Sequence, residues 1–419
     1  MRNFRAIACA LGALLISSAL SAGDMMGSDT ETRLKALEGT VQRLSSAKEG
    51  GAGLKMGLPF TIDGFVDVTG NYNFNKGPSR INRNRHYDQN ADTFTMNVAH
   101  FCFHKEAAHG SLIGFKAEVD FGSDAQHNNA SKIPAPSVNE IVDLQEATIT
   151  LLIPNHEECS LVFGKFATFE GIELIETTGN PVISRGLLFM FAEPLTHVGG
   201  FAEYKHDLSG SLLDIRLGAV NGWDLEADNN MGKTLVWLLG LSKDKSFDVH
   251  LNGTWGDEQA SIATHRDGHP RNSVDLTGSV TMQDLVVNFQ VNGGSEKFAV
   301  AGAKWVHWFG FGIQPVWTIS SMPGWSLAGR FEVFNDVDGA RLNGLSTNEP
   351  AEYFNITVCP AYALAKNCTV RGEYRYDWSN LNRGTGSRAY EDKKGSSNLD
   401  HQSTFMLEIF YTFSTEASN

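Results

Sequence analysis

The sequence predicts an all-β fold: a closed antiparallel transmembrane β-barrel of about 16 strands over residues 58–419. Segments that alternate apolar and polar residues recur from Pro59 to Phe413, and short polar turns alternate with longer links. A period of two places one kind of residue on each face of a strand. No segment after the N-terminus approaches the roughly 18 consecutive apolar residues of a membrane-spanning helix. A membrane-inserted chain of this composition must therefore cross with strands.

Residues 1–22 have the features of a secretory signal peptide. Arg2 and Arg5 precede an apolar run from Ala6 to Leu20, and small residues follow up to Ala22. The run is too short to span a bilayer as a helix, and its flanks match those of a cleaved export signal. We therefore predict that the chain is exported and cleaved near Ala22.

Residues 23–57 are predicted to form a short helix and a glycine-rich linker. Leu34, Leu37, Val41 and Leu44 lie at the a and d spacing of a coiled coil. Two heptads are marginal as an isolated helix. The pattern fits a short trimeric coiled coil on the periplasmic side, or a disordered or loosely docked helix, and both interpretations stay open. Gly50–Gly57 supplies the linker.

Composition and charge narrow the classes of partner. The formal net charge of −14 argues against nucleic acid as a partner. Four cysteines remain after export, namely Cys102, Cys159, Cys359 and Cys368, without CxxC or zinc spacing. Strand parity places Cys359 and Cys368 on opposite faces, which argues against a bond between those two. The other pairings stay open.

The last two predicted strands, Thr369–Trp378 and Thr404–Phe413, alternate most clearly. One face of the last strand is wholly apolar, with Phe405, Leu407 and Ile409, as expected for a strand between lipid and water. The same parity assigns these charged residues to the lumen: Lys116, Glu118, Asp120, Asp214, Arg216, Arg330, Glu332, Arg371, Glu373, Arg375 and Glu408.

The strand count follows from the connections. Seven short turns alternate with eight longer links, which predicts sixteen strands with both termini on the short-turn side. Phe298–Ser320 is counted as one strand running out of a loop, but its length also allows two. Fourteen and eighteen strands therefore remain open alternatives.

Short motifs spread over most of the mature chain carry a family resemblance. They are Phe163–Phe166 with Gly171–Glu173, Asn180, Ser184, Arg185, Pro194, Gly199–Tyr204, Asn221–Asp224, Arg330–Asp336 with Asp338 and Gly339, and Glu373–Asp377. With them the chain resembles the OmpL-like β-barrel porins of bacterial outer membranes. The resemblance implies an outer-membrane location and passive transport of small solutes. The chain departs from the usual pattern at its end, because further residues follow the aromatic Phe413.

The link from Ile172 to Glu193 is the predicted constriction of the pore, since it carries acids and a base beside an apolar stretch. Lumen side chains and inward-folded loops set selectivity in channels. An acid and a base facing each other across the pore would favour polar, zwitterionic solutes. In the alternative, this link only packs against the inner wall. The predicted pore-lining and constriction residues are Glu173, Glu176, Arg185, Arg216, Arg330, Glu332, Arg371, Glu373 and Arg375.

These observations together predict an outer-membrane porin that lets small hydrophilic solutes diffuse through a water-filled barrel. The expected partners are outer-membrane lipid, the solutes and, in one arrangement, further copies in a homotrimer. No nucleophile motif, phosphate-binding glycine loop or directed metal spacing occurs, so no catalytic residue, cofactor or metal is predicted. The alternatives are an adhesin or structural barrel with a plugged lumen, and a barrel enzyme.

Overall fold

The computed structural model describes residues 59–128, 141–244, 246–258, 269–297, 304–342, 349–382 and 388–415. The barrel described below belongs to the unit Leu58–Asn419. The predicted signal peptide, helix and linker, in residues 1–57, lie outside the described residues. Within the described ranges, no helix has the length and apolar character needed to cross a membrane.

Sixteen antiparallel strands close into one barrel. Each strand pairs with its neighbours in sequence, and β1 pairs with β16 to complete the circle, with Val66 opposite Tyr411 and Gly70 opposite Leu407. Closure leaves no strand edge without backbone partners, which a strand structure in lipid requires. The predicted fold class and the predicted count of sixteen strands are confirmed.

The elements follow in a simple up-and-down order. The strands are β1 Thr61–Asn73, β2 Thr93–Lys105, β3 Ile113–Phe121, β4 Val142–Ile153, β5 His156–Ala167, β6 Thr196–Asp207, β7 Leu212–Val220, β8 Thr234–Lys243, β9 Phe247–Asp257, β10 Pro270–Met282, β11 Leu285–Lys297, β12 Trp305–Thr318, β13 Trp325–Asp336, β14 Ala351–Ala365, β15 Cys368–Ser379 and β16 His401–Ser414. In the described residues the longer links contain two short α-helices, α1 Ala125–Asn128 and α2 Leu187–Phe191, and a 3-10 helix, Thr177–Gly179.

In the described part of Phe298–Ser320, the segment that allowed two strand counts, there is a single strand, β12. One of the eight longer links counted from the sequence was placed at Gly293–Lys297. This placement was wrong, because these residues continue β11 and pair with Phe309 through Trp305 on β12. Their glycines suggested a turn. In the barrel they make room for an aromatic ring, since a Cβ atom on Gly294 would lie 2.0 Å from the Trp308 ring.

β4 alternates poorly in sequence because it contains a β-bulge. Glu118 of β3 pairs with Glu146, but the next residue, Val119, pairs with Leu144, so Gln145 has no partner in the ladder. Gln145 and Glu146 are both buried on the inner side, whereas Leu144 is exposed. A bulge of this kind shifts the phase of the alternation by one residue.

The two faces of the barrel differ as the parity predicts. Leu407 and Ile409 are 52% and 48% exposed, whereas Met406 and Glu408 between them are 2% and 0% exposed. The outer face is an apolar surface that matches hydrocarbon, and the inner face carries the charged residues.

Links from one end of the barrel fill part of its interior. Leu187 and Leu188 of α2 pack against Trp308 of β12, Phe334 of β13 and Leu381 of the last link. This internal apolar core fixes α2 against the inner wall of β12–β14 and so positions the long link that contains it.

The four cysteines of the barrel are free thiols. Cys359 is fully buried on the inner side, where it packs with Val182 and Ile183. Cys368 pairs in the ladder with the outward-facing Tyr411. The parity argument that separated these two cysteines is consistent with both positions.

Candidate functional site

Residues 168–195, which join β5 to β6, fold into the barrel. They are called the constriction loop below, after the prediction made from the sequence. The amide of Gly171 donates to Asp275 Oδ2 on β10 over 2.7 Å. The hydroxyl of Thr177 donates to Glu408 Oε1 on β16 over 3.0 Å. The loop therefore crosses the lumen and reaches the strand that closes the barrel.

The first part of the loop has two faces. Glu173, Ile175 and Thr177 are buried, whereas Leu174 is 51% exposed. Ile175 packs with Tyr87 and Phe189. Glu176 is half-buried. Asn180 fixes this segment, because its side chain accepts from the Leu174 amide at 2.8 Å and donates to the Leu174 carbonyl at 2.7 Å. One row of the loop is thus buried, and the other is partly exposed.

Glu173 and Arg330 form a buried ion pair at the centre of the loop. The distance from Arg330 Nη1 to Glu173 Oε1 is 2.7 Å, and both side chains are almost fully buried. Glu173 also accepts from Gln314 at 2.6 Å and from the amide of Gly186 at 2.5 Å. Arg330 also donates to Ser184 Oγ at 3.0 Å. The carboxylate and the guanidinium both have hydrogen-bond partners, as buried charges require.

Two more carboxylates of the wall bind backbone amides of the loop. Glu332 accepts from the amide of Leu187 at 2.8 Å, at the start of α2 where amides lack helical partners. Glu373 accepts from the amides of Ile183 at 2.6 Å and Ser184 at 3.0 Å. These contacts hold residues 183–187 on β13 and β15.

The remaining arginines of the predicted set also contact the loop. Arg371 pairs with Glu408 and donates to the Thr177 hydroxyl at 3.0 Å. Arg375 donates to the Arg185 carbonyl at 2.6 Å and to Asp377 at 2.7 Å. The guanidinium of Arg185 itself lies 4.7 Å from the centre of the Tyr87 ring. The link between β1 and β2 therefore also supports the loop.

The nine predicted residues fall into two groups. Seven are buried in contacts between the constriction loop and its surroundings: Glu173, Arg185, Arg330, Glu332, Arg371, Glu373 and Arg375. Glu176 and Arg216 keep part of their side chains exposed. Within the buried group, Arg330 pairs directly with Glu173 and Glu332. Arg371 and Arg375 pair with the wall residues Glu408 and Asp377, so these charges do not face each other across an open gap. Arg216 stands apart on β7, pairs with Asp214 at 2.8 Å and lies 5.2 Å from the Phe169 ring.

The exposed row of the loop approaches a second polar group on β3 and β4. Gln145, the bulged residue of β4, donates to Glu176 and, at 3.3 Å, to Glu118. Lys116 pairs with Glu118 at 2.9 Å and with Glu146 at 2.8 Å, and its side chain is 40% exposed. Lys116 and Glu118 were assigned to the lumen by parity, but the bulge concealed Gln145 and Glu146.

The sequence did not predict that Glu170 and Glu193, at the two ends of the loop, lie together with Asp275 of β10. Ser273 donates to Glu170 at 2.5 Å, and Gln290 donates to Glu193 at 2.6 Å and to Asp275 at 3.2 Å. Burial, reinforced by the nearby Asp275, raises the pKa of Glu170 to about 8. The same two causes raise the pKa of Glu193 well above its usual range. The predicted loop began at Ile172, so Glu170 lay outside it.

Within the ranges that the structure describes, no three His, Cys, Asp or Glu side chains are grouped in a way that could hold a metal ion.

The comparison with protein families decides the identity of the fold. The family described as "Putative beta-barrel porin-2, OmpL-like" matches residues 59–413. The chain belongs to this porin family. Family membership confirms the predicted resemblance and the predicted function, passive diffusion through an outer-membrane porin. No sequence among the curated proteins matches the chain.

Solved outer-membrane proteins share the fold at low sequence identity. The anion-selective porin from Comamonas acidovorans has a TM-score of 0.54 and 10% identity, with 84% of this chain and 99% of that chain covered. The outer-membrane channel DcaP of Acinetobacter baumannii has a TM-score of 0.54 and 12% identity, with 84% and 96% covered. OmpT of Vibrio cholerae, in its trimer form, has a TM-score of 0.53 and 12% identity, with 84% and 98% covered.

Proposed function

We propose that this porin conducts small hydrophilic solutes, without catalysis, along a path bordered by the exposed row of the constriction loop. The observation that carries the proposal is the two-faced loop segment at residues 172–178. Leu174 lies inside the barrel and is nevertheless 51% exposed, while Glu173 and Ile175 beside it are buried. An apolar side chain exposed in the lumen of a polar barrel borders water rather than protein.

The opposite border of the proposed path is formed by Lys116 of β3 and Arg216 of β7. Both side chains are partly exposed, and each is paired with carboxylates on its own wall. Gln145 connects the Lys116 group to Glu176 of the loop, and Phe169 connects the loop to Arg216. Because acids and bases alternate along this border, we expect weak ion selectivity and passage of polar or zwitterionic solutes.

The nine predicted site residues have two different roles in this proposal. Glu176 and Arg216 line the path. The seven buried residues hold the loop in place and act on solutes only through the position of the loop.

Replacing Glu176 by lysine is expected to raise the anion-to-cation permeability ratio about threefold, because the change reverses a charge on the exposed row of the loop. The measurement is the reversal potential across a planar bilayer under a potassium chloride gradient. Glu157→Lys makes the same charge change on the exposed start of β5, away from the loop. Equal shifts for both variants, or none for Glu176→Lys, would remove residue 176 from the path.

We also propose export with cleavage near Ala22, insertion in outer-membrane lipid, and assembly as a homotrimer. The porin fold and the trimer form of OmpT, which shares it, support the assembly. Light scattering of the purified protein in detergent measures the mass of the protein part. Three copies are expected, and a mass of one copy contradicts the trimer. N-terminal sequencing of the same sample locates the cleavage site.

A further inference from the structure

Both ends of the constriction loop meet the wall at a cluster of three carboxyl groups, Glu170, Glu193 and Asp275. Glu170 follows β5, and Glu193 precedes β6. Gly171 brings the cluster together. Its amide donates to Asp275 at 2.7 Å, and a Cβ atom added at this residue would lie only 2.2 Å from Glu193 Oε1. The positive φ of 92° at this residue, together with that close approach, requires glycine.

Within the described residues, the cluster has no neutralising base. None of its three carboxyl groups forms an ion pair with a Lys, Arg or His in the part of the chain that the structure describes. The next carboxylate along the loop, Glu173, pairs with Arg330 at 2.7 Å. The neighbouring charges on β10 and β11, Arg271 and Glu296, pair with each other at 2.8 Å. Three adjacent carboxylates out of water would repel one another and would be poorly solvated.

Asn252 gives an independent indication of what neutralises the cluster. It pairs directly with Asp275 in the ladder between β9 and β10 and is fully buried. Neither its side-chain oxygen nor its side-chain nitrogen has a hydrogen-bond partner. A buried amide oxygen needs a donor, which a carboxylate lacks and a carboxylic acid supplies through its O–H.

We propose that Glu170 and Glu193 hold protons at neutral pH, and that the cluster they form with Asp275 anchors both ends of the constriction loop to β9, β10 and β11. Protonation removes the repulsion and provides O–H donors for groups such as Asn252. The cluster thus acts as a proton-dependent latch on the loop. The latch depends on the proposed function only when its effect is measured as solute or ion flow through the barrel.

The sign of the pH dependence follows from the raised pKa of Glu170. Docking is strongest below the pKa of an exposed glutamate, weakens as the pH rises, and loses this contribution above about pH 8. For Glu170 alone, the docking equilibrium constant is expected to fall about 100-fold between about pH 6 and about pH 10. Glu193, whose pKa is also raised, adds to the effect in the same direction.

The test uses the full-length protein in lipid vesicles and follows carboxyl protonation by infrared difference spectroscopy between about pH 6 and about pH 10. We expect the carbonyl band of protonated acids to be lost on alkalinisation in the parent and to be reduced in Glu170→Gln and Glu193→Gln. Glu258→Gln is the control, because it removes a single buried carboxyl group outside the cluster. This variant should keep the loss of the carbonyl band that comes from Glu170 and Glu193. This readout does not depend on whether the loop borders the solute path.

Conductance supplies the second readout. Single-channel current of the parent should become larger or noisier at high pH, whereas the Glu170→Gln/Glu193→Gln double variant should keep its low-pH current. Heat-dependent gel migration verifies that both barrels are folded. A pH response that persists unchanged in the double variant overturns the latch. A response to calcium or chelator at fixed pH also overturns it, because a cation then replaces the proton.

Discussion

Replacing Arg330 by alanine is expected to undock the constriction loop and to destabilise its docked position by about 3–5 kcal/mol, because the change leaves the buried Glu173 carboxylate without its counter-ion. Arg330 pairs with Glu173 at 2.7 Å and also donates to Ser184 and Asn355. The single-channel current should rise and fluctuate, since a mobile loop no longer fixes the width of the path. Protease sensitivity of residues 168–195 should rise in parallel.

Arg216→Ala is the matched control for this variant. It removes an arginine of the same barrel whose pairs are partly solvated, and such pairs contribute about 0–1 kcal/mol. Arg216→Ala should therefore leave the protease pattern unchanged. If Arg330→Ala is no more sensitive to protease than Arg216→Ala, the loop is not held by the buried pair.

Replacing Leu407 by arginine should destabilise the whole barrel by about 2–4 kcal/mol, which is the cost of this change on the lipid face near the bilayer centre. Leu407 lies midway along β16 on the outer face and is about half exposed. Unfolding in urea, measured in lipid vesicles, should show a lower midpoint with an unchanged slope.

Asn288→Arg places the same side chain on the partly exposed inner face of β11. Substitutions on the water-facing side of a barrel tune selectivity rather than insertion, so its midpoint should stay close to that of the parent. Equal losses for Leu407→Arg and Asn288→Arg would mean that the Leu407 face does not contact hydrocarbon.

The strand faces and turns were predictable because the signals for them are local. Alternation assigned Phe405, Leu407 and Ile409 to the outside and Arg371, Glu373 and Arg375 to the inside, as the burial confirms. A bulge breaks this signal at Gln145, because one unpaired residue shifts the phase without a special residue type. The sequence also did not reveal where β11 ends, because the glycines near its end make room for packing and do not form a turn.

The contacts of the loop were not predictable, because they join distant parts of the chain. Glu173 and Arg330 are 157 residues apart, and Gly171 and Asp275 are 104 residues apart. Parity identifies which residues share the inner face, but it does not identify which of them the loop covers. Arg375 is fully buried for this reason, although it faces the lumen of a barrel.

The most direct measurement is the single-channel conductance of Leu174→Cys in a planar bilayer, before and after addition of a charged thiol reagent. The parent, with its four native free thiols, is treated in parallel. A water-filled barrel narrowed by the constriction loop predicts stepwise conductance in both proteins, and a drop on modification that is larger in Leu174→Cys. Barrels that migrate as folded yet conduct no current, or steps in Leu174→Cys that the reagent leaves unchanged, contradict this account.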